Sequence, residues 1–188
     1  MNHDKARELI ALLQQPGLEL RGLYDFPGAV SPEEDSPTLL GNATLKAETA
    51  LEVTGWPAVA DDTGLEVDAL QGAPGAHAAR FAGPTATYAD NIRRLLESLA
   101  GVAAERRAAR FRTVCVAAFP DGRRLVGEGE IEGRITETPR GTGGFGYDTV
   151  FEVPRLGKTF AELSAEEKNA ISHRSKAVRA LAAQLRAL

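Results

Sequence analysis

One cysteine, one methionine, one tryptophan and three histidines in 188 residues leave little material for several kinds of chemistry. The lone Cys115 can form neither an internal disulfide nor a multi-cysteine zinc site, and its place in the apolar run Val114-Cys115-Val116 marks it as a small core residue in a reducing compartment. No apolar run reaches the roughly 18 residues that span a bilayer, and the start, Met1-Asn2-His3-Asp4-Lys5, lacks the apolar stretch of a secretory signal. A cytoplasmic protein with no membrane partner is expected. Neither sign of charge dominates, with 22 Lys and Arg against 26 Asp and Glu, and a net charge of -4 argues against a protein that coats nucleic acid. Internal repeats and flexible linkers are missing as well.

What is present is ordinary for a folded chain: 43% hydrophobic and 26% charged residues, and a length that buries about 70% of the unfolded surface. A single domain over residues 1–188, built as two lobes, is expected. The total charge hides an asymmetry. Residues 1–100 carry 7 Lys and Arg against 15 Asp and Glu, while residues 101–188 carry 15 against 11. A cleft between such halves could offer carboxylates to a cation and donors to an anion. Uneven solvated surface is the plainer reading.

Hydrophobic periodicity predicts a helix over Lys5 to Leu13, a short strand at Leu18 to Leu23, a proline-rich acidic loop from Tyr24 to Pro37, and a long helix from Thr38 to Thr54. Two short strands, Pro57 to Ala60 and Leu65 to Ala69, are expected to flank Asp61-Asp62-Thr63-Gly64. A third helix covers Thr87 to Leu99. Ala108 to Phe119 and Leu125 to Ile135 read as a hairpin about Pro120-Asp121-Gly122. A glycine-dense loop, Thr138 to Tyr147, leads to a last strand at Val150 to Val153, and Ser164-x-x-Glu167 is a capping box that opens a C-terminal helical region. Strands alternating with helices, plus one hairpin, indicate a mixed sheet flanked by helices.

Three constellations could carry chemistry. Asp61-Asp62 stands at the expected end of a strand, where ligand sites of α/β sheets tend to lie, and alternation lets only one of the two face a cleft. An ordinary Asx turn is the competing reading. In Arg140-Gly141-Thr142-Gly143-Gly144-Phe145-Gly146-Tyr147-Asp148, four glycines allow close backbone approach and the two rings suit a planar partner such as a base. A flexible surface loop would look much the same. Donors cluster in Glu166-Glu167-Lys168-Asn169-Ala170-Ile171-Ser172-His173-Arg174, where a solvated charged face is the competing reading. On an unbroken helix His173 and Arg174 lie roughly 140° and 240° around from Lys168, so convergence needs a break, placed near Asn169 to Ile171 with Ser172 capping a second helix.

In this order, Asn2-x-x-Lys5, Asn42-Ala43-x-x-Lys46-Ala47, Ala60-Asp61-Asp62-Thr63-Gly64-Leu65, Gly72-Ala73-Pro74-Gly75 with Arg80, Gly141 to Asp148 and Glu167 to Arg174 resemble the inosine/xanthosine triphosphate pyrophosphatases. The resemblance spans essentially the whole chain. It implies an elongated α/β fold with two lobes around a central nucleotide cleft, a homodimer, and magnesium-dependent hydrolysis of ITP, dITP or XTP to the monophosphate and pyrophosphate. Carried over by residue, it makes Asp62 the general base and a Mg2+ ligand, with Glu33, or alternatively Glu34, completing the metal site. Thr63 and Arg80 would touch substrate. Asn2, Lys5 and Lys46 would hold the triphosphate, Phe145 would stack on the base beside Gly146 and Tyr147, and Asp148, Lys168, His173 and Arg174 would surround its edge. One departure stands out: family members begin with an apolar strand ending in Thr/Ser-Gly-Asn-x-x-Lys, whereas Met1 occupies the place of the glycine and that strand is missing. The alternatives are a catalytically impaired nucleotide-binding protein and a metal phosphoesterase of unrelated substrate range.

Overall fold

The computed structural model describes residues 3–14 and 18–187. They form a mixed α/β fold in the order α1 (His3–Leu13), α2 (Leu39–Thr54), β1 (Ala58–Val67), β2 (Pro74–Gly75), α3 (Tyr88–Ser98), β3 (Ala108–Ala118), β4 (Arg124–Ile135), β5 (Phe151–Val153), β6 (Lys158–Thr159), α4 (Ala165–Ile171) and α5 (His173–Leu185). The strands make one sheet, ordered β2-β1-β3-β4-β5-β6. Leu65 lies opposite Gly75, Ile135 opposite Phe151 and Val153 opposite Lys158, all in antiparallel pairs. None of the described helices is long and apolar enough to cross a membrane.

The chain gathers into two compact units, Met1–Asp62 with Thr113–Gly129 and His173–Leu188, and Thr63–Arg112 with Glu130–Ser172. In the first unit β3 is buried on both faces, and its alternation sorts the core into two clusters. Cys115 and Ala117 pack against Leu9 and Leu13 of α1 and Ala177, Val178 and Leu181 of α5. Val114, Val116 and Ala118 point the other way, onto Ala43 and Ala47 of α2. Burial pushes the Cys115 thiol far above its ordinary titration range. Helix α5 lies so close to β4 that a Cβ on Gly129 would sit 2.1 Å from the His173 carbonyl oxygen, and one on Gly127 2.2 Å from that of Ala177. Only glycine fits at either place.

The second unit buries one face of the same strands. Between Ala108 and Arg112 the pattern alternates, with Ala109 and Phe111 inside and the arginines outside. Phe111, Phe151 and Phe160 form the aromatic centre, with Phe111 and Phe151 rings 4.5 Å apart, and Leu95 and Leu99 from the α3 end close over Leu65 and Val67. On the outer face Arg110 meets Asp68 at 2.5 Å and Arg112 meets Glu130 at 3.3 Å, half-exposed pairs that contribute little individually.

Capping fixes the helix ends much as the sequence predicts. Thr38 accepts from the Gly41 amide at 3.1 Å, Gly55 closes α2 in the left-handed conformation, and Ser164 with Glu167 forms the expected capping box. Four local expectations change. Strand β5 is not the last strand, because β6 follows it and pairs with it. Residues 18–23 form no strand, because no described strand pairs with them, and a single helical turn at Leu23–Asp25 follows. The two short strands around Asp61-Asp62 are one continuous strand, β1, so the two aspartates sit mid-strand with no Asx turn. The break between α4 and α5 falls at Ser172, which is extended (φ -67°, ψ 155°), while Asn169 stays helical.

The contact between α5 and β4 is backbone against backbone, so it has no soft side chain to yield. Gly129→Ala is expected to lower the unfolding free energy by about 1–3 kcal/mol, the usual cost of overpacking, measured as a shift in the urea midpoint at unchanged slope.

Candidate active site

The consequence of placing Asp61 and Asp62 mid-strand is that they point to opposite faces of the first unit, and each meets its own set of cations. Asp62, almost fully buried, faces α2: the Lys46 ammonium donates to one carboxylate oxygen at 2.8 Å and the Asn42 amide to the other at 3.2 Å. Asn42 and Lys46 are one helical turn apart, so both side chains reach the same spot. The Asn42 carbonyl accepts from the Ser36 amide at 3.0 Å, which ties the acidic loop to α2 and brings Glu34 to 3.3 Å from Lys46. Burial works against the Lys46 charge, yet Asp62, Asp61 and Glu34 raise its titration above that of an ordinary lysine. Of the two candidate metal ligands in the loop, Glu34 is thus the one held beside Asp62, while Glu33 is exposed.

Asp61 faces α1 and α5. Arg174, 2% exposed, donates from Nε to Asp61 at 3.1 Å and from Nη1 to Glu8. Burial disfavours an ionised Asp61, but Arg174, Lys5 and Lys46 outweigh it and hold the carboxyl well below the usual carboxylate range. Lys5 is pushed the other way: desolvation and the nearby Lys46 and Arg174 lower its titration despite Asp61 and Asp62. The first unit therefore gathers three cations (Lys5, Lys46, Arg174) and four carboxylates (Glu8, Glu34, Asp61, Asp62). Thr63 follows on β1, half-buried. His173, buried, opens α5. Asn2 lies outside the described residues.

The second unit holds the glycine loop. Asp148, buried, accepts from the Lys168 ammonium at 2.8 Å and from the Phe145 amide at 2.9 Å, both on Oδ2. A Cβ on Gly144 would lie 2.0 Å from that oxygen, and Gly144 and Gly146 both have positive φ (70° and 62°), so the loop can curl around Asp148 only with glycines there. Lys168 stands 4.9 Å from the centre of the Phe145 ring and 5.6 Å from that of Phe160. Tyr147 is less available than the sequence suggests: its ring belongs to the core and its hydroxyl donates to the Ala78 carbonyl at 2.8 Å. That bond ties the loop to the turn carrying Arg80, which contacts His77 at 3.1 Å. The base of the loop is locked by Glu152, buried between Arg134 (2.6 Å) and Arg140 (2.5 Å).

Sequence reasoning missed Asn42, Glu8 and Glu152 as partners. Asn42 lay inside a quoted motif at helical spacing from Lys46, a usable signal. Glu8 and Glu152 carry none, since their partners are 166 and 12 to 18 positions away. Among the described residues no three His, Cys, Asp or Glu side chains group as a metal cage, so a cation here would rest on the pair Asp62 and Glu34.

Residues 1–184 match the family model of the Ham1 family. The chain belongs to the Ham1 family. It is 50% identical to a dITP/XTP pyrophosphatase of Geobacillus kaustophilus over 94% of this chain and 87% of that one. It is likewise 50% identical to one of Methylococcus capsulatus over 100% and 94%. Its fold matches a HAM1 protein from Coxiella burnetii with a TM-score of 0.89 at 38% identity, covering 100% of this chain and 96% of the other. The Staphylococcus aureus Ham1 protein gives 0.87 at 37%, covering 99% and 95%.

Removing one partner of a buried ion pair typically costs about 3–5 kcal/mol. Asp61→Asn is expected to lose that much at neutral pH, because Arg174 keeps its charge. The folded carboxyl is depressed, so its contribution is complete above about pH 4, the unfolded value, and fades as pH falls further. The gap between parent and variant in denaturant titrations should narrow below pH 4.

Proposed function

We propose that this Ham1 family chain hydrolyses non-standard purine nucleoside triphosphates, ITP, dITP and XTP, to the monophosphate and pyrophosphate. The observation that carries the reading is the buried Asp62 carboxylate held by Lys46, with Glu34 on the same ammonium. A carboxylate fixed in place beside a lysine can orient water and take its proton while the lysine takes phosphate charge. Water attacks the α-phosphorus, its proton passes to Asp62, and the bond to the bridging oxygen breaks as pyrophosphate leaves. Lys46 and Lys5 neutralise the departing phosphates.

The donor set suits Mg2+. Asp62 and Glu34 are hard oxygen ligands, and they already share one cationic group, the Lys46 ammonium, so they would hold the metal, which when bound offsets phosphate charge. Base recognition belongs to the second unit, where Phe145 offers a stacking face and Lys168, oriented by Asp148, donates to the 6-carbonyl of hypoxanthine or xanthine. Adenine presents a donor at that position and would set donor against donor at the Lys168 ammonium, a mismatch that can cost roughly 10⁴ in discrimination. Arg174 has its guanidinium committed to Asp61 and Glu8, so in this reading it supports the catalytic strand. The homodimer implied by the sequence resemblance and the cytoplasmic setting expected from composition belong to the same reading. No observation favours the non-catalytic alternative.

The deciding experiment is a turnover panel of ITP, dITP, XTP, GTP and ATP with Mg2+, following pyrophosphate. Release from ITP, dITP and XTP well above ATP is expected, and addition of a chelator should abolish it. Asp62→Asn should cut turnover by about 10²–10⁴, the usual worth of a general base, whereas Asp61→Asn should cut it far less at a comparable loss of stability. Equal losses of turnover at the two positions would remove the assignment of a single base.

A further inference from the structure

We infer that Tyr88 is a specificity-determining residue that forms a second aromatic wall for the substrate base. This rests on the reading of the Phe145 and Lys168 cluster as the base site. Tyr88 is the first residue of α3, and Thr87, whose side chain accepts from the Asp90 amide at 3.2 Å, fixes where that helix starts and so where the ring emerges. The Tyr88 and Phe145 ring centres are 6.2 Å apart, with planes inclined at 35°.

Two features separate this pair from ordinary core packing. Tyr88 is 41% exposed and Phe145 half-buried, although the aromatic centre built from Phe111, Phe151 and Phe160 is almost fully buried in the same unit. An aromatic pair left open to water in a domain that has a closed core keeps surface that a planar partner can cover. The second feature is what surrounds it. Gly144 and Gly146 bring no side chains next to Phe145, and the Lys168 ammonium, anchored by Asp148, stands 4.9 Å from the Phe145 centre. The cluster thus combines a stacking face, an inclined second ring and a fixed donor. A purine laid on Phe145 meets Tyr88 along one side, so Tyr88 limits sliding of the base and favours a flat bicyclic ring over a smaller pyrimidine. Its contribution is to base contact; the phosphate chemistry in the first unit does not involve it.

The test compares Tyr88→Ala, Tyr88→Phe and Phe145→Ala with the parent in steady-state hydrolysis of ITP, with melting temperatures recorded for each. Stacking on an aromatic side chain is commonly worth a five- to hundredfold change in binding. Tyr88→Ala is expected to raise the KM for ITP about tenfold with a several-fold smaller effect on kcat, and Tyr88→Phe, which keeps the ring, to restore the parent KM. Phe145→Ala raises KM at least as much. If Phe145→Ala raises KM while Tyr88→Ala does not, the inference is overturned and the base-site reading stands. A fall in kcat and melting temperature for Tyr88→Ala at unchanged KM assigns it to helix packing and overturns it too. If neither alanine variant changes KM, the base-site reading fails and the inference with it.

Discussion

A strand can bury two neighbouring carboxylates only if each finds cations on its own side of the sheet, because an unpaired buried charge costs several kcal/mol and adjacent side chains point in opposite directions. In β1 this requirement organises the first unit. Asp62 needs α2 to present Asn42 and Lys46 one turn apart, and Asp61 needs α1 and α5 to bring Glu8 and Arg174 together. The helices on the two faces therefore serve two ends at once: they cover the apolar run of β3 and they neutralise the aspartates. The small residues Ala43, Ala47 and Ala177, with Gly127 and Gly129 opposite α5, let the helices come near enough for short polar side chains to reach.

In the second unit a single carboxylate plays the corresponding part. Asp148 holds the loop backbone through the Phe145 amide and holds Lys168 through the same oxygen, so ring and donor are placed by one group. The loop can curl around it because residues 144 and 146 are glycine. Below it, Glu152 between two arginines makes the attachment stiff. Pre-organisation of this sort lowers the ordering cost of binding a flat ligand.

The elements that were legible in the sequence are those whose signals are local. The α2 and α4 ends follow from Thr38, Gly55 and the Ser164/Glu167 box, and the β3 to β4 hairpin from its proline and glycine turn. The change within β3 from alternating to continuous burial is also written in its residues, AARFR and then TVCVAA. What failed was non-local. Asp61-Asp62-Thr63-Gly64 looks like a turn because two acids and a glycine rarely lie within a buried strand, and only partners 16, 20 and 113 positions away make it one. The strand expected at residues 18–23 had the alternating Leu18 and Leu20 but, among the described residues, no neighbour to pair with. Lys46 and Lys168 became candidates through the family resemblance, since a basic residue on a helix says little by itself; that Arg174 serves Asp61 and Glu8 was not legible, since a guanidinium has the same sequence signature wherever it points.

Cys115 lies on the face of β3 covered by α1 and α5, with no exposed surface. Its sulfur is shielded from alkylating reagents by those two helices, and because it is the sole thiol, label uptake is a site-specific clock for their separation from the strand. The plateau that the labelling rate reaches in excess reagent equals the opening rate of that layer, obtained without introducing any probe. The only tryptophan gives no such signal: Trp56 is 70% exposed in the native protein, so its emission changes little when the chain opens.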